Sequence, residues 1–84
     1  MSKQKKNELD QKIRNCTKCR LHLTRKQAVP GTGPVPSEFM FLGEAPGRVE
    51  DETGIPFNNK EGAGRVLSAL LHESGFRRDE VYIT

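Results

Sequence analysis

The sequence contains no tryptophan, only four Phe and one Tyr, and no apolar run that approaches the length of a membrane span. Only 33% of its 84 residues are hydrophobic, so it has little material for a large core. A domain this small is only marginally stable unless a disulfide or a metal cross-links it. The sequence therefore predicts a truncated part of a larger domain. The N-terminus also lacks the apolar stretch of a signal peptide. These absences predict a cytoplasmic protein that has no membrane partner.

Basic and acidic residues are unevenly distributed along the chain. Residues 1–26 carry nine Lys and Arg against two acidic residues, a net charge of +7, whereas residues 27–84 carry a net charge of −4. A basic segment of this kind suits a polyanionic partner, because each Lys or Arg near a phosphate releases counterions. A solvated helix face explains the same pattern and is the commoner reason for a single basic segment.

The two cysteines, Cys16 and Cys19, are spaced C-x-x-C. In a cytosolic chain this spacing indicates a metal, an iron–sulfur cluster or a redox pair rather than a structural disulfide. A four-ligand site needs two further donors, and His22 is the only nearby candidate for a third. A small zinc module built on these three residues is therefore one alternative. A thioredoxin-type redox role is disfavoured, because the motif follows a polar, helix-like segment instead of a strand.

The N-terminal part of the chain predicts a basic arm. Residues 6–15 have the spacing of a short helix, with Leu9 and Ile13 on one face and Asn7 as its N-cap. Together with the lysines before it, this helix makes residues 1–15 a basic helical arm. Residues 16–37 follow as an irregular surface connection, because the stretch PGTGPVP places three prolines and two glycines in succession.

Residues 38–84 have the pattern of a strand, a loop, a helix and a second strand. The continuous apolar run at residues 39–42 predicts a strand buried on both faces. An apolar stripe then predicts a helix of about 12 residues, with Gly75 as its C-cap and Phe76 folded back on its last turn. The stripe consists of Ala63, Val66, Leu67, Leu70 and Leu71.

Residues 81–84 are β-branched and aromatic and predict the second strand. Two strands joined through a helix are parallel, so the sequence predicts an α/β fold whose βαβ unit needs further neighbours. The loop GEAPG at residues 43–47 lies where open parallel sheets bind ligands. Gly43 and Gly47 permit close backbone approach, so the amides of this loop are candidates for holding an anion or a carbonyl oxygen. The loop matches neither a Walker loop nor a G-x-G-x-x-G fingerprint.

Three consecutive carboxylates and one isolated aromatic follow this loop. Glu50, Asp51 and Glu52 would ordinarily form a solvated acidic turn, but a carboxylate beside a base pocket can shape the site. Phe57 follows Pro56 in a polar loop. It is either an anchor tucked under the edge of the sheet or a flat surface on which a nucleobase stacks.

Four motifs taken together are specific for one family. They are CTKCRLHLTR at residues 16–25, GEAPG at 43–47, EDETGIPF at 50–57 and AGRVLSALL at 63–71. In this order they resemble the N-terminal part of the iron–sulfur uracil-DNA glycosylases of the family 4 type. The resemblance implies a doubly wound, three-layer α/β domain, of which this chain is the N-terminal βαβ portion. It also implies a protein that flips uracil out of DNA and hydrolyses its N-glycosidic bond. We expect this protein to be a monomer.

The resemblance implies roles for individual residues. Cys16 and Cys19 match two of the four ligands of a [4Fe–4S] cluster, whose other two ligands lie further along the family's chain. Gly43, Glu44 and Ala45 match the active-site motif that contacts the base and positions the hydrolytic water. Ala45 stands where the best-known glycosylases place a water-orienting aspartate, so catalysis in this family depends on other groups.

Further roles follow from the same resemblance. Glu50 matches the residue that lies near C5 of the base and excludes the methyl group of thymine, with Asp51 and Glu52 as solvated neighbours. Phe57 matches the aromatic that stacks on uracil. Arg48, by contrast, stands where acidic residues are common in the family. With Lys60 and Arg65 it is a candidate contact to DNA phosphates.

The sequence departs from the family in the segment between Phe57 and Ala63, which is two residues longer than usual. Neither His22 nor His72 matches the histidine that stabilises the departing uracil in this family. The 84-residue chain is therefore expected to be inactive by itself. A non-catalytic nucleic-acid-binding member of the same superfamily is the main alternative.

Overall fold

The computed structural model describes residues 2–84. In chain order, its elements are helix α1 (Lys3–Arg14), strand β1 (Met40–Phe41), helix α2 (Arg48–Thr53), helix α3 (Gly62–Glu73) and strand β2 (Tyr82–Ile83). Short 3₁₀ helices cover Arg20–Leu23 and Arg78–Glu80. Within the described range, no helix is long and apolar enough to cross a membrane.

The two strands pair in parallel, as the strand–helix–strand pattern predicts. Phe41 is aligned with Ile83, and the pairing continues beyond the strands because the Gly43 amide donates to the Thr84 carbonyl oxygen at 2.8 Å. The carboxyl ends of β1 and β2 therefore lie side by side at one edge of the sheet.

The connection before β1 adds a third backbone partner to the sheet. Thr32 and Ile83 form an antiparallel bridge, in which each amide donates to the carbonyl oxygen of the other at 2.8 Å. Pro30 and Gly31 are buried beside this bridge. The prediction that residues 16–37 only cross the surface is therefore wrong for this stretch. Threonine retains the N–H that the neighbouring prolines lack, so it is able to pair.

The hydrophobic core lies between the strand pair and α3. Val81 and Ile83 are each 1% exposed and Leu71 is 4% exposed. Partly buried side chains complete the cluster, namely Phe41, Phe57, Leu67 and Phe76. Fully burying one such aliphatic side chain contributes about 1.5–3 kcal/mol, so Leu71, Val81 and Ile83 together hold α3 against the segment that contains β2.

Helix α3 has the predicted length and the predicted C-terminus. Gly75 adopts a left-handed φ of 84°, and the Phe76 amide donates to the Leu71 carbonyl oxygen at 2.9 Å, which is a Schellman-type end. Only part of the predicted apolar stripe is covered. Val66 and Leu70 are 59% and 55% exposed, because the sheet reaches only one side of the stripe.

Strand β1 is not buried on both faces, which contradicts the prediction. Phe41 contributes to the core, whereas Met40 and Leu42 alternate to the other face and are 62% and 77% exposed. A continuous apolar run indicates a strand between two layers, and the described residues cover only one side of β1. The sheet consequently presents an apolar face at Met40 and Leu42.

Helix α1 begins three residues earlier than predicted. Its N-cap is Ser2 and not Asn7, and the Ser2 hydroxyl oxygen accepts a hydrogen bond from the Lys5 amide at 3.1 Å. Serine is a preferred N-cap, and the lysines and glutamine after it are good helix formers. The helix therefore starts after Ser2, the first residue whose side chain is able to cap it.

A polar pair, rather than Leu9, turns α1 toward the sheet. Lys6 and Asp10 are 2.5 Å apart and largely buried, whereas Leu9 is 42% exposed. The Lys6 ammonium donates to the Gly31 carbonyl oxygen at 3.1 Å and lies 5.6 Å from the centre of the Tyr82 ring. This cation–π contact ties α1 to Tyr82, which alternates along β2 with the core residue Ile83.

Replacing Ile83 with valine tests the core. Ile83 is 1% exposed, so Ile83→Val should lower the free energy of unfolding by about 0.5–1.5 kcal/mol. Ile55→Val removes the same methylene at a site that is 45% exposed. This control should change the free energy of unfolding by less than about 0.5 kcal/mol. Urea unfolding followed by circular dichroism measures both values. Equal losses in the two variants would contradict the core described above.

Candidate functional site

A cavity of about 590 Å³ opens beyond the carboxyl ends of both strands. Its walls are the GEAPG loop at residues 43–47, the start of α2, the turn at Pro56 and Phe57, and the first turn of α3. Thr84 also lines it, directly after β2. The cavity lies at the edge of the sheet where open α/β folds bind ligands.

Several residues singled out in the sequence meet at this cavity. Those that line it are Gly43, Glu44, Ala45, Arg48, Glu50 and Phe57. Lys60 and Arg65 are exposed and lie outside the lining. The cysteines Cys16 and Cys19 are also outside it. The structure thus separates the C-x-x-C motif from the cavity and leaves two of the three phosphate candidates on the surface.

The acidic stretch forms helix α2, where the sequence predicts only a turn. Gly47 is the N-cap, and Glu50 Oε1 accepts a hydrogen bond from the Gly47 amide at 3.0 Å. The spacing of Gly47 and Glu50 is that of a capping box, and carboxylates are favourable in the first turn because they face the positive end of the helix. This spacing is the signal by which the sequence could have identified α2.

Glu50 also joins two separate loops. Its second oxygen, Oε2, accepts a hydrogen bond from the Asn58 amide at 2.8 Å, while Oε1 is bound to Gly47. One carboxylate therefore holds the GEAPG loop against the segment that follows Phe57. Because Glu50 is half-buried, each of these charge-assisted hydrogen bonds contributes about 1.5 kcal/mol, the low end for a charged acceptor.

Phe57 has a left-handed backbone, with φ of 47°. Such a conformation costs a bulky residue about 1–3 kcal/mol, and it persists only where the surroundings enforce it. The ring lies against Gly43, since a Cβ atom on Gly43 would be 2.7 Å from Phe57 Cε2. Phe57 therefore forms a half-buried aromatic wall of the cavity and also closes the hydrophobic core.

Helix α3 supports the Phe57 turn through a direct backbone contact. A Cβ atom on Gly64 would lie 2.0 Å from the Asn58 carbonyl oxygen and 2.4 Å from the Phe57 carbonyl oxygen, so only glycine permits this approach. Residues 59–61 are exposed. The longer segment before α3 thus bulges toward solvent and does not separate Phe57 from the helix.

Arg78, which follows α3 in the chain, contacts the same turn through its side chain. Its Nη2 atom donates to the Pro56 carbonyl oxygen at 2.6 Å, and its Nη1 atom donates to Ser68 Oγ at 3.0 Å. Burial lowers the pKa of this guanidinium, and the charge of Glu50 opposes that shift; the group stays charged because its ordinary pKa is so high. Sequence reasoning missed Arg78, because a charged turn between a helix and a strand is typical of solvated surface.

Asp51 is not the solvated neighbour that the sequence predicts. Its Oδ1 atom accepts hydrogen bonds from the amides of Lys26 at 2.7 Å and Gln27 at 3.3 Å, which ties α2 to the connection. Glu52 does face solvent, where it lies 3.5 Å from Arg48 and 3.7 Å from Lys26. Exposed ion pairs of this kind contribute at most about 1 kcal/mol.

Carboxylates outnumber cations among the described residues that line the cavity. Glu44, Glu50 and Glu61 line it, against one guanidinium, that of Arg48, which is paired with Glu61. The Gly47 amide is already bound to Glu50. A negative rim and an occupied amide disfavour the anion site considered for this loop, and the cavity is better suited to a neutral ligand.

The C-x-x-C motif forms a separate feature, with Cys16 half-buried, Cys19 exposed and both thiols free. The Arg25 Nη2 atom donates to the Cys16 carbonyl oxygen at 2.6 Å, and His22 Nδ1 contacts the Cys19 carbonyl oxygen. Across residues 2–84, no three Cys, His, Asp or Glu side chains are grouped as metal ligands. The three candidate zinc ligands Cys16, Cys19 and His22 are not grouped in that range, and His22 Nδ1 is turned toward the backbone.

Comparison with known proteins identifies the family of this chain. The family model described as the uracil DNA glycosylase superfamily matches residues 30–84, a range that includes both strands, α2, α3 and almost all of the cavity. The chain belongs to this superfamily.

Its relatives within the superfamily are named Type-4 uracil-DNA glycosylase. The Thermotoga maritima protein is 45% identical over 75 residues, which are 89% of this chain and 38% of that protein. The Pyrobaculum aerophilum protein is 49% identical over 84 residues, which are 100% of this chain and 40% of that protein. The Archaeoglobus fulgidus protein is 45% identical over 78 residues, which are 93% of this chain and 38% of that protein.

The chain thus spans about two fifths of the length of the curated relatives it matches. Cys16 and Cys19 lie outside the superfamily match at residues 30–84. The similarity to the Pyrobaculum protein covers the whole chain and therefore includes the C-x-x-C segment.

Replacing Glu50 with glutamine tests the link between the two loops of this superfamily member. Glutamine keeps the shape of the side chain but places an NH₂ group opposite one of the two backbone N–H donors, which then loses its acceptor. The substitution should lower the free energy of unfolding by about 1–3 kcal/mol. Amide hydrogen exchange at Gly47 and Asn58 should become faster. Glu52→Gln is the matched control at an exposed site and should change the free energy by less than about 1 kcal/mol. Unchanged exchange in Glu50→Gln would rule out the link.

Proposed function

We propose that this chain forms the uracil-binding part of a uracil-DNA glycosylase, a hydrolase of base-excision DNA repair. The observation that carries the proposal is the cavity at the strand ends, with the GEAPG loop on one side and Phe57 on another. Relatives named Type-4 uracil-DNA glycosylase, at 45–49% identity, support it. The chain spans part of their length, so excision belongs to the whole protein.

The charge of the cavity favours a neutral base over a phosphate. Its described lining carries three carboxylates and a guanidinium that is already paired, so a phosphate would meet net repulsion. Phe57 offers a half-buried aromatic surface beside the GEAPG backbone. Stacking on such a surface is worth about 1–3 kcal/mol per base, which offsets part of the cost of flipping a nucleotide out of the duplex.

Glu44 and Ala45 lie in the loop that faces the flipped base in this proposal. Their segment positions the hydrolytic water, which attacks C1′ of the deoxyribose while the bond to uracil N1 breaks and the electron pair leaves with the base. The departing uracil anion needs hydrogen-bond donors. His22 and His72 are not among the described lining residues, so we assign this role to the part of the relatives' length that the chain does not span.

Glu50 excludes thymine by its position near C5 of the base. Both of its oxygens are bound by backbone amides, those of Gly47 and Asn58. A carboxylate held in this way cannot swing aside for a methyl group without losing two hydrogen bonds. This rigidity supports a steric role for Glu50 in selecting uracil.

For the DNA backbone, we assign phosphate contacts to Lys60 and Arg65, which are exposed near the first turn of α3. Arg48 joins them only by exchanging its ion pairs with Glu52 and Glu61. Phosphate contacts of this kind make affinity fall with salt. The basic N-terminal arm adds a longer-range attraction for the same polyanion.

The whole protein is proposed to be a doubly wound, three-layer α/β domain. The exposed apolar face at Met40 and Leu42 supports this, because strands of such sheets are covered on both sides. Lys6 of α1 lies over the Tyr82 ring, and Tyr82 alternates along β2 with Ile83, which packs against Leu71 of α3.

Cys16 and Cys19 are proposed as two of the four ligands of a [4Fe–4S] cluster. Two free thiols at C-x-x-C spacing supply half of the required donors, and the contacts of Arg25 and His22 hold the carbonyl groups of both cysteines. When bound, the cluster supplies a covalent cross-link rather than a step of the hydrolysis. Free thiols also suit a reducing compartment, and the cytoplasmic location and monomeric state stay predictions.

A second candidate function is nucleic-acid binding without catalysis. It is favoured by the net charge of +7 over residues 1–26, which attracts a polyanion without requiring a base pocket. Such a protein would bind DNA through its basic residues with little preference for uracil.

Replacing Phe57 tests the proposed excision. A chimera in which this chain replaces the aligned stretch of the Thermotoga maritima relative should release uracil from a uracil-containing duplex. Phe57→Ala should lower kcat/KM by about 10–100-fold, since the stacking contribution is lost. Phe39→Ala is the matched control, because Phe39 is 48% exposed and lies outside the cavity lining.

The same assay separates the two candidate functions. Salt-sensitive DNA binding by the chimera without uracil release would favour the non-catalytic protein. Equal activities of Phe57→Ala and the unsubstituted chimera would contradict the stacking role. The 84-residue chain alone should release no uracil.

Metal analysis tests the cluster ligands. The chimera purified without oxygen should contain iron and acid-labile sulfide, and Cys16→Ser should lose most of both because one thiolate ligand is removed. Thr17→Ser changes the residue next to Cys16 and should leave the iron content unaltered. Zinc in place of iron, or full iron content in Cys16→Ser, would contradict the assignment.

A further inference from the structure

We infer that Arg78 is a positioning residue that holds Phe57 in place as the stacking surface of the cavity. The inference rests on the proposed uracil-binding function. Arg78 begins the 3₁₀ helix Arg78–Glu80 between α3 and β2 and is not among the described residues that line the cavity. It therefore acts through Phe57 and not on the base itself.

The contacts of Arg78 bridge two elements. Nη2 donates to the Pro56 carbonyl oxygen at 2.6 Å and Nη1 donates to Ser68 Oγ at 3.0 Å. A guanidinium presents its donors in a planar fork, so anchoring one nitrogen on α3 fixes the direction of the other. The fork thereby sets the position of the Pro56 carbonyl group relative to the helix.

The Pro56 carbonyl group belongs to the peptide plane that precedes Phe57. The orientation of this plane about the N–Cα bond is the φ angle of Phe57, which is 47°. The plane that follows Phe57 contains the Asn58 amide, which donates to Glu50 Oε2 at 2.8 Å. Arg78 and Glu50 therefore hold the two peptide planes on either side of Phe57, and so both of its backbone angles.

These two side chains have opposite charges and lie close enough to influence each other, as the effect of Glu50 on the Arg78 pKa indicates. They act on a backbone conformation that phenylalanine disfavours. Arg78 donates to the Pro56 carbonyl oxygen, so its loss releases the peptide plane before Phe57 to turn back toward an ordinary φ. The ring would then leave Gly43, against which it is packed.

The position of the ring provides a test that does not depend on activity. A Cβ atom on Gly43 would lie 2.7 Å and 2.9 Å from two carbons of the Phe57 ring, so the Gly43 α-protons should show a ring-current shift in the NMR spectrum of the isotope-labelled chain. We expect Arg78→Gln to return this shift to the ordinary glycine value. Arg77→Gln is the matched control, with the same charge change at an exposed neighbour that is bound to Asp79 and Glu80.

Arg78→Lys serves as a second variant if Arg78→Gln does not fold. Lysine keeps the charge but replaces the rigid planar fork with a single, freely rotating ammonium, so it no longer fixes the Pro56 carbonyl group relative to Ser68 and should reduce the shift. A full ring-current shift in either Arg78 variant would overturn the inference, as would an equal loss in Arg77→Gln.

A double-mutant cycle in the Thermotoga chimera tests the connection to uracil. Arg78→Gln should raise KM about tenfold, the equivalent of one hydrogen bond, with a smaller change in kcat. In the Phe57→Ala background, the same change should have no further effect, because its target is absent. Additive effects would indicate a general structural role and would overturn the inference. If the unsubstituted chimera releases no uracil, the proposed function fails, while the Gly43 shift still decides whether Arg78 positions Phe57.

Discussion

The left-handed backbone of Phe57 is the constraint on which the cavity depends. Its φ of 47° directs the ring onto Gly43, so that one side chain closes the core and also lines the cavity. Three elements enforce it: Arg78 before the residue, Glu50 after it, and Gly64 of α3 against its carbonyl group. The strained backbone is that of one residue, and the contacts that maintain it come from three distant parts of the sequence.

Helix α2 explains how three adjacent carboxylates acquire different roles. Successive residues of a helix point in directions about 100° apart, so neighbours in the sequence face different surroundings. Glu50 turns toward the cavity loops, Asp51 toward the amides of the connection, and Glu52 toward solvent. A flexible acidic loop would not sort them in this way, and the six residues of α2 are enough to do so.

The features that the sequence predicts well are local in origin. The period of the α3 stripe and Gly75 at its end define that helix, and the position of the strand ends follows from parallel pairing. The features that it misses depend on partners far away in the chain. Thr32 pairs with Ile83, Asp51 with the Lys26 amide, and Arg78 with Pro56, and no local pattern reveals any of these contacts. For α2 the capping signal is local, but the adjacent glycines and prolines indicate a loop more strongly.

Selectivity between uracil and thymine concerns a single methyl group, which a loosely packed pocket distinguishes only weakly. A pocket rejects the larger base when its wall cannot yield, because the methyl group then costs either a clash or broken hydrogen bonds. Glu50 is bound at both oxygens to the backbone, and Phe57 on the neighbouring wall is held at both of its peptide planes. For the function proposed above, selectivity therefore arises less from contacts to uracil than from the shared contacts that hold these two walls at a constant separation.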